Sequence, residues 1–272
     1  MVVQHVSDLH LELSDNSRWM KTNPLPVAGD VLVVAGDTGY VASTDYRKLA
    51  FWKWASASYR EVIVALGNHE FYQYSDVAEL PDGYCEAILP NVHLCYNAVV
   101  RVDAVDFLVT TLWAHIDPAE AYMTEHGVND FYRILRSGKR LSAEGFNAEH
   151  ERCVDFLKAA LAGRVEPSYA VGSREGMACR KVVVSHHVPT MLCMAHEFRG
   201  SSINGAFVCE MGDLIASSDI DVWIYGHSHR NIDAVISRMD SGECRIVSNQ
   251  LGYVAHGEHL RCGFEAGKVV EI

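Results

Sequence analysis

Five times in this chain a short apolar run stops against a cluster of Asp, Asn or His. Residues 1–6 run into Ser7-Asp8-Leu9-His10, residues 30–35 into Gly36-Asp37-Thr38-Gly39, and residues 61–66 into Gly67-Asn68-His69-Glu70. Residues 180–185 run into His186-His187-Val188-Pro189, and residues 222–225 into Gly226-His227-Ser228-His229. The runs are rich in Val and Ile, with little polar alternation. That is the composition of strands covered on both faces, as in an α/β sheet. Such sheets bind their ligands beyond the carboxyl ends of the strands. Side chains two apart in an extended segment point the same way, so Asp8 with His10 and His227 with His229 each converge on one place. One such cluster is an ordinary turn; five in one chain argue for a site.

The bulk numbers restrict what that site serves. Of 272 residues, 49% are hydrophobic and 21% charged, enough for a sizeable core. A formal net charge of −12 argues against a broad nucleic-acid footprint. The eight cysteines form no C-x-x-C pair, which disfavours a thiolate zinc site and fits reduced, buried thiols. No apolar run approaches the ~20 residues of a membrane span, and with a first strand expected from Val2 no signal peptide is expected before it. The expectation is a cytoplasmic protein with no membrane partner.

Between the clusters, residues 43–60 read as a helix with one apolar face. Residues 92–96, 99–103 and 106–112 read as a β-meander, and residues 148–162 as a helix. Residues 168–176 read as a loop and 208–218 as a short helix. Residues 232–236, 244–248 and 268–272 read as closing strands. The stretch 114–147 has no strong period, which suggests a lid or cap on a single domain spanning 1–272. Within it, residues 129–137 suggest a short helix ended by Gly138, placing Arg133 and Arg136 on one face. A planar guanidinium suits phosphate oxygens, which makes Arg133 a candidate substrate contact. His5 and His93 lie in strands and read as packed residues. His115, His126, His196, His256 and His259 lie in loops and read as solvated.

The order and type of the five clusters resemble the calcineurin-like metallophosphoesterase family, over residues 3 to 230. The resemblance implies a four-layer αββα sandwich of two mixed β-sheets with helices outside. It implies two divalent ions, of manganese, iron or zinc, which the oxygen and imidazole donors suit. Asp37 would bridge them; Asp8, His10 and His229 would hold the first, and Asn68, His186 and His227 the second. His186 is preferred to its neighbour His187, as the histidine that directly follows the small residue. His69, with Asn68 nearby, matches the position that contacts phosphate and protonates the leaving oxygen. The activity implied is hydrolysis of a small-molecule phosphomonoester or phosphodiester by a metal-bridging hydroxide. Three readings compete: a nuclease, which the acidic balance disfavours; a non-catalytic interaction module, which should have lost a ligand; and a mononuclear zinc hydrolase, which leaves half the clusters unused.

Overall fold

The strand Val31–Ala35 explains the layering. All five residues are 0% exposed, yet successive side chains point to opposite faces. Val31, Val33 and Ala35 enter one apolar cluster; Leu32 and Val34 enter another. The first cluster also takes Val3 and Ile63 from neighbouring strands, and Val100, Phe107, Val184 and Ile224 from a second sheet. The second takes Trp52, Phe146 and Leu157 from helices. A strand apolar on both faces therefore needs a sheet on one side and helices on the other, giving the α/β sandwich of two mixed sheets.

The structure, a computed structural model, describes residues 1–173 and 179–272. In the first sheet Val2–Val6, Val31–Ala35, Glu61–Ala65 and Val92–Tyr96 run parallel in that order. Val269–Glu271 and Tyr84–Leu89 flank them antiparallel. In the second, Val105–Val109, Arg180–Val184, Val222–Tyr225 and Glu243–Ser248 run parallel. Ala98–Val102 and Ala234–Ser237 flank them antiparallel, and Tyr169–Val171 adds an edge. No helix among the described residues is long and apolar enough to cross a membrane. Six of the eight cysteines are buried, and none is joined in a disulfide.

Several local expectations change. Residues 43–60 are not one helix: a tight turn at Tyr46–Lys48 precedes the helix Ala50–Ser58, because Leu49 is extended at ψ 132°. The helix expected at 148–162 starts earlier, at Ala143, where Ser142 Oγ accepts the N–H of Gly145 at 3.1 Å. The stretch 114–147 carries helices Ala121–Gly127 and Asp130–Arg133 and a small hairpin. The helix expected over 129–137 thus stops at Arg133. Ser137 and Gly138 turn back with φ of 53° and 74°, and both donate their N–H to the Asp76 carboxylate. Arg136 leaves any shared face with Arg133 and pairs with Glu149 at 2.9 Å. The helix expected over 208–218 shrinks to Gly212–Ala216. The loop expected at 168–176 contains the strand Tyr169–Val171; its residues 174–176 lie outside the described residues. The edge strand Tyr84–Leu89 and the helix Ser14–Thr22 had no strong signal in the sequence.

Ile63, fully buried between the sheets, sets a direct test of this packing. Ile63→Ala should cost about 3 kcal/mol and lower the urea midpoint accordingly. Val235→Ala, at an exposed position, should shift it by less than about 0.5 kcal/mol.

Candidate metal centre

All five clusters follow the carboxyl ends of parallel strands, three in one sheet and two in the other, so they meet along one edge of the sandwich. The chain bends sharply there. Asp8, His10, Asp37, His227 and His229 take φ of 54°, 45°, 55°, 76° and 51°. This left-handed region costs a residue with a Cβ about 1 kcal/mol or more, and such strain persists only where the surroundings impose it. At Asp37 the brace is Glu70. Its carboxylate accepts the N–H groups of Asp37, Thr38, Gly39 and Gly67, at 2.7 to 3.2 Å, clipping two strand-end turns together. Close approach explains two glycines. A Cβ on Gly36 would overlap the His186 ring, and one on Gly67 the Asp37 carboxylate.

Four imidazoles share one arrangement: one ring nitrogen is held from outside and the other turns inward. His10 Nδ1 meets Glu12 at 3.2 Å and His229 Nδ1 meets Glu258 at 2.6 Å. His186 Nδ1 meets the Ala35 carbonyl at 2.9 Å, and His227 Nε2 the Ala206 carbonyl at 3.2 Å. Inside, His10 Nε2 and His229 Nε2 are 3.2 Å apart, as are His186 Nε2 and His227 Nδ1. Asp8 Oδ1 lies 3.3 Å from His229 Nε2. Asp37 divides itself between the groups: Oδ1 is 3.3 Å from His186 Nε2 and Oδ2 3.8 Å from His10 Nε2. Asn68 Oδ1 lies 2.9 Å from His186 Nε2, while its Nδ2 donates to Asp130 Oδ1 at 2.8 Å. Three acid–histidine groupings compact enough for an ion result: Asp8, His10 and His229; Asp37, His186 and His227; and His10, Asp37 and His69. A metal-ligating histidine ordinarily gives its second N–H to a carboxylate or carbonyl, as all four do here. The donor set of carboxylate, carboxamide and imidazole fits divalent cations such as manganese, iron or zinc.

The electrostatics point the same way. Among the described residues no lysine or arginine pairs with Asp8 or Asp37, and both are buried. Burial opposes ionisation of each. Yet neighbouring histidines win, holding Asp8 at about 2 and Asp37 well below the usual carboxylate range. Burial also lowers His186 and His229, but Asp37 lifts the first to about 9, and Asp8 with Glu258 lifts the second to about 10. Burial drives His227 down to about 3 and lowers His10. The carboxylates thus favour positive charge at His186 and His229, charge of the kind a bound cation would supply.

His69 differs in its second partner: Nδ1 meets Glu12 at 3.0 Å, but Nε2 meets the Tyr253 hydroxyl at 3.2 Å. Burial pulls its pKa down, but Asp37 and Glu12 outweigh that and the net shift is upward. Of the adjacent pair, His186 faces Asp37. His187 lies behind His227, ring centroids 4.1 Å apart, with Nδ1 on the Thr111 carbonyl. Arg133 is exposed, its guanidinium 5.5 Å from the centre of the Tyr72 ring, which itself stacks on His69. His5 and His93 are buried in strands, and His115, His126, His196 and His256 are exposed. His259 is half-buried against Trp19.

Sequence reasoning missed Glu12, Asp130, Tyr253 and Glu258 and gave Glu70 no task. Glu12 and Glu70 stood in view beside the clusters. Asp130 lies in the segment 129–133, of which sequence reasoning weighed only Arg133; Tyr253 and Glu258 arrive from segments without a motif, brought in only by folding.

With the geometry in place, the comparisons agree with it. The model of the calcineurin-like phosphoesterase family matches residues 1–231. The chain belongs to that family, and it is a phosphoric ester hydrolase with metal-binding His and Asp clusters. It is 23% identical, over 297 aligned positions covering 100% of this chain and 96% of the relative, to an uncharacterized protein of Acanthamoeba polyphaga mimivirus. Its fold resembles phosphopantetheinyl hydrolase from Mycobacterium tuberculosis, with a TM-score of 0.64 and 17% identity, covering 99% of this chain and 95% of that one.

The Glu70 clip predicts its own mutant. Glu70→Gln replaces one acceptor oxygen with an N–H₂ group that faces backbone donors. It should lower stability by about 2–4 kcal/mol in denaturant titration, well beyond a surface substitution.

Proposed function

We propose that the chain hydrolyses a small-molecule phosphoester at a dinuclear centre. Asp8, His10 and His229 would hold one divalent cation and Asn68, His186 and His227 the other, with Asp37 placed between the two sets. The observation that carries this reading is the division of Asp37: its two carboxylate oxygens face separate groups of inward-turned imidazoles. A single-ion reading leaves one of those groups without a task. A non-catalytic module is disfavoured because every ligand position and the candidate acid are filled.

Two cations so held would activate water and neutralise charge on the phosphoryl oxygens. The remaining work falls to this chain's own side chains. Asp130, which accepts from both Asn68 Nδ2 and the Tyr72 hydroxyl, fixes the amide so that its carbonyl faces His186. Glu12 holds His69 through Nδ1, leaving Nε2, now against Tyr253, to contact phosphate and pass a proton to the departing alkoxide. The upward shift of His69 keeps that proton available near neutrality. Asn68 and His69 therefore serve substrate as well as structure. We read residues 1–272 as one domain, in which the segment 114–147 supplies part of the cleft wall through Val128, Asn129 and Asp130.

The test uses manganese-loaded protein with nitrophenyl phosphate, bis-nitrophenyl phosphate and a slower alkyl phosphate. Chelation should abolish turnover and metal return should restore it. His69→Ala should keep its metal by elemental analysis yet slow the alkyl ester by about 10²-fold or more, and the activated aryl ester less. Equal slowing of both would assign His69 to phosphate binding alone.

A further inference from the structure

Beside the candidate centre lies a cleft of about 350 Å³, large enough for a small-molecule ligand. One end is formed by Asp37, Asn68, His69, His227 and His229. The other has a different chemistry. Met194, Phe198, Ile203 and Phe207 form its wall, joined by Val128. The wall starts at the centre itself, since the Phe207 ring stacks on His227 with centroids 4.8 Å apart and planes 27° apart. Phe198, Ile203 and Phe207 are only partly buried, so they have apolar surface left to cover.

The charges in the cleft are equally telling. Among the described residues Arg230 is the only lysine or arginine that lines it. That guanidinium is already committed: Nε to Glu197 at 2.7 Å, a terminal nitrogen to the His229 carbonyl at 2.8 Å, and its face over Phe198 at 5.2 Å. Asp130 and Glu258 also line the cleft. A second anionic group on a substrate would find no uncommitted lysine or arginine among the lining residues, and leaving it unpaired is costly.

Resting on the hydrolase reading above, we propose that the cleft selects a phosphoester whose alcohol is uncharged and apolar, an aryl or alkyl group laid against Met194, Phe198, Ile203 and Phe207. The phosphate supplies the only charge. The wall supplies binding in proportion to the apolar area it covers, and the lack of an uncommitted lysine or arginine disfavours alcohols that carry a second anion.

The experiment compares phenyl, 2-naphthyl and 4-carboxyphenyl phosphate, whose leaving groups have similar acidity, on the manganese-loaded chain. kcat/KM should rise about five- to tenfold from phenyl to naphthyl and fall at least about tenfold for the carboxylated ester. Phe198→Ala and Ile203→Ala, made separately at partly exposed positions, should each pull the naphthyl-to-phenyl ratio towards one. Calorimetry with methylphosphonate and naphthylmethylphosphonate reads the same wall without turnover, and the naphthyl compound should bind at least about tenfold tighter. Turnover with no dependence on apolar size overturns the proposal and leaves the hydrolase reading standing. Tighter naphthyl binding with no turnover of any ester does the reverse. A preference for the carboxylated ester that disappears in Arg133→Ala would also overturn it, and would put Arg133 on the substrate.

Discussion

Asp8 and Asp37 are buried carboxylates with no lysine or arginine paired to either among the described residues. Burying an ionised carboxylate costs several kcal/mol unless the charge is compensated. Here the compensation comes from imidazoles: two lifted to about 9 and about 10 beside them, each with an inward nitrogen of a further imidazole 3.2 Å away. Much of the local structure follows from holding those charges together. Glu70 clips the turns that carry Asp37 and Asn68, and the His227 N–H donates to Asp8 at 3.1 Å. Five residues accept left-handed backbone to keep their side chains converging. A protein under no demand to concentrate charge here would be more stable with that strain and burial removed. Their persistence is what a cation-binding site requires.

Strand ends were legible because their constraint is local. A run such as Val31–Ala35 is apolar on both faces, so layers on both sides follow from the residues themselves. The clusters after the runs were legible because four of the five carry two or more ligand-type residues within a few positions. The stretch 114–147 was not legible, since what shapes it is distant. Its hairpin turn is fixed by Asp76, and the short helix before it ends where Tyr74 donates to the Arg133 carbonyl at 2.8 Å. Asp130 illustrates the same limit within the site. Its part in orienting Asn68 rests on a hydrogen bond between residues 62 positions apart. Tyr253 and Glu258 lie beyond the last cluster and reach the site through the turn that follows Leu251. The choice of His186 over His187 came from resemblance; its physical basis is that one ring meets Asp37 while the other packs on His227.

The same geometry links reaction and selectivity. The imidazole that serves as candidate ligand, His227, is also the first ring of the apolar wall, through its stack on Phe207. The carboxylate that orients Asn68, Asp130, also lines the cleft. On the proposed reading the ligand set and the apolar wall share side chains, so substitutions in the wall should be judged by ratios between substrates rather than by activity on one.

The central claim is that Asp37 joins two cation sites. Crystals of the manganese-loaded protein, with data collected for anomalous scattering, test it most directly. The account predicts two peaks about 3.5–4 Å apart, one against Asp8, His10 and His229, the other against Asn68, His186 and His227, with an Asp37 oxygen on each. A single peak, or two that do not share Asp37, would contradict it.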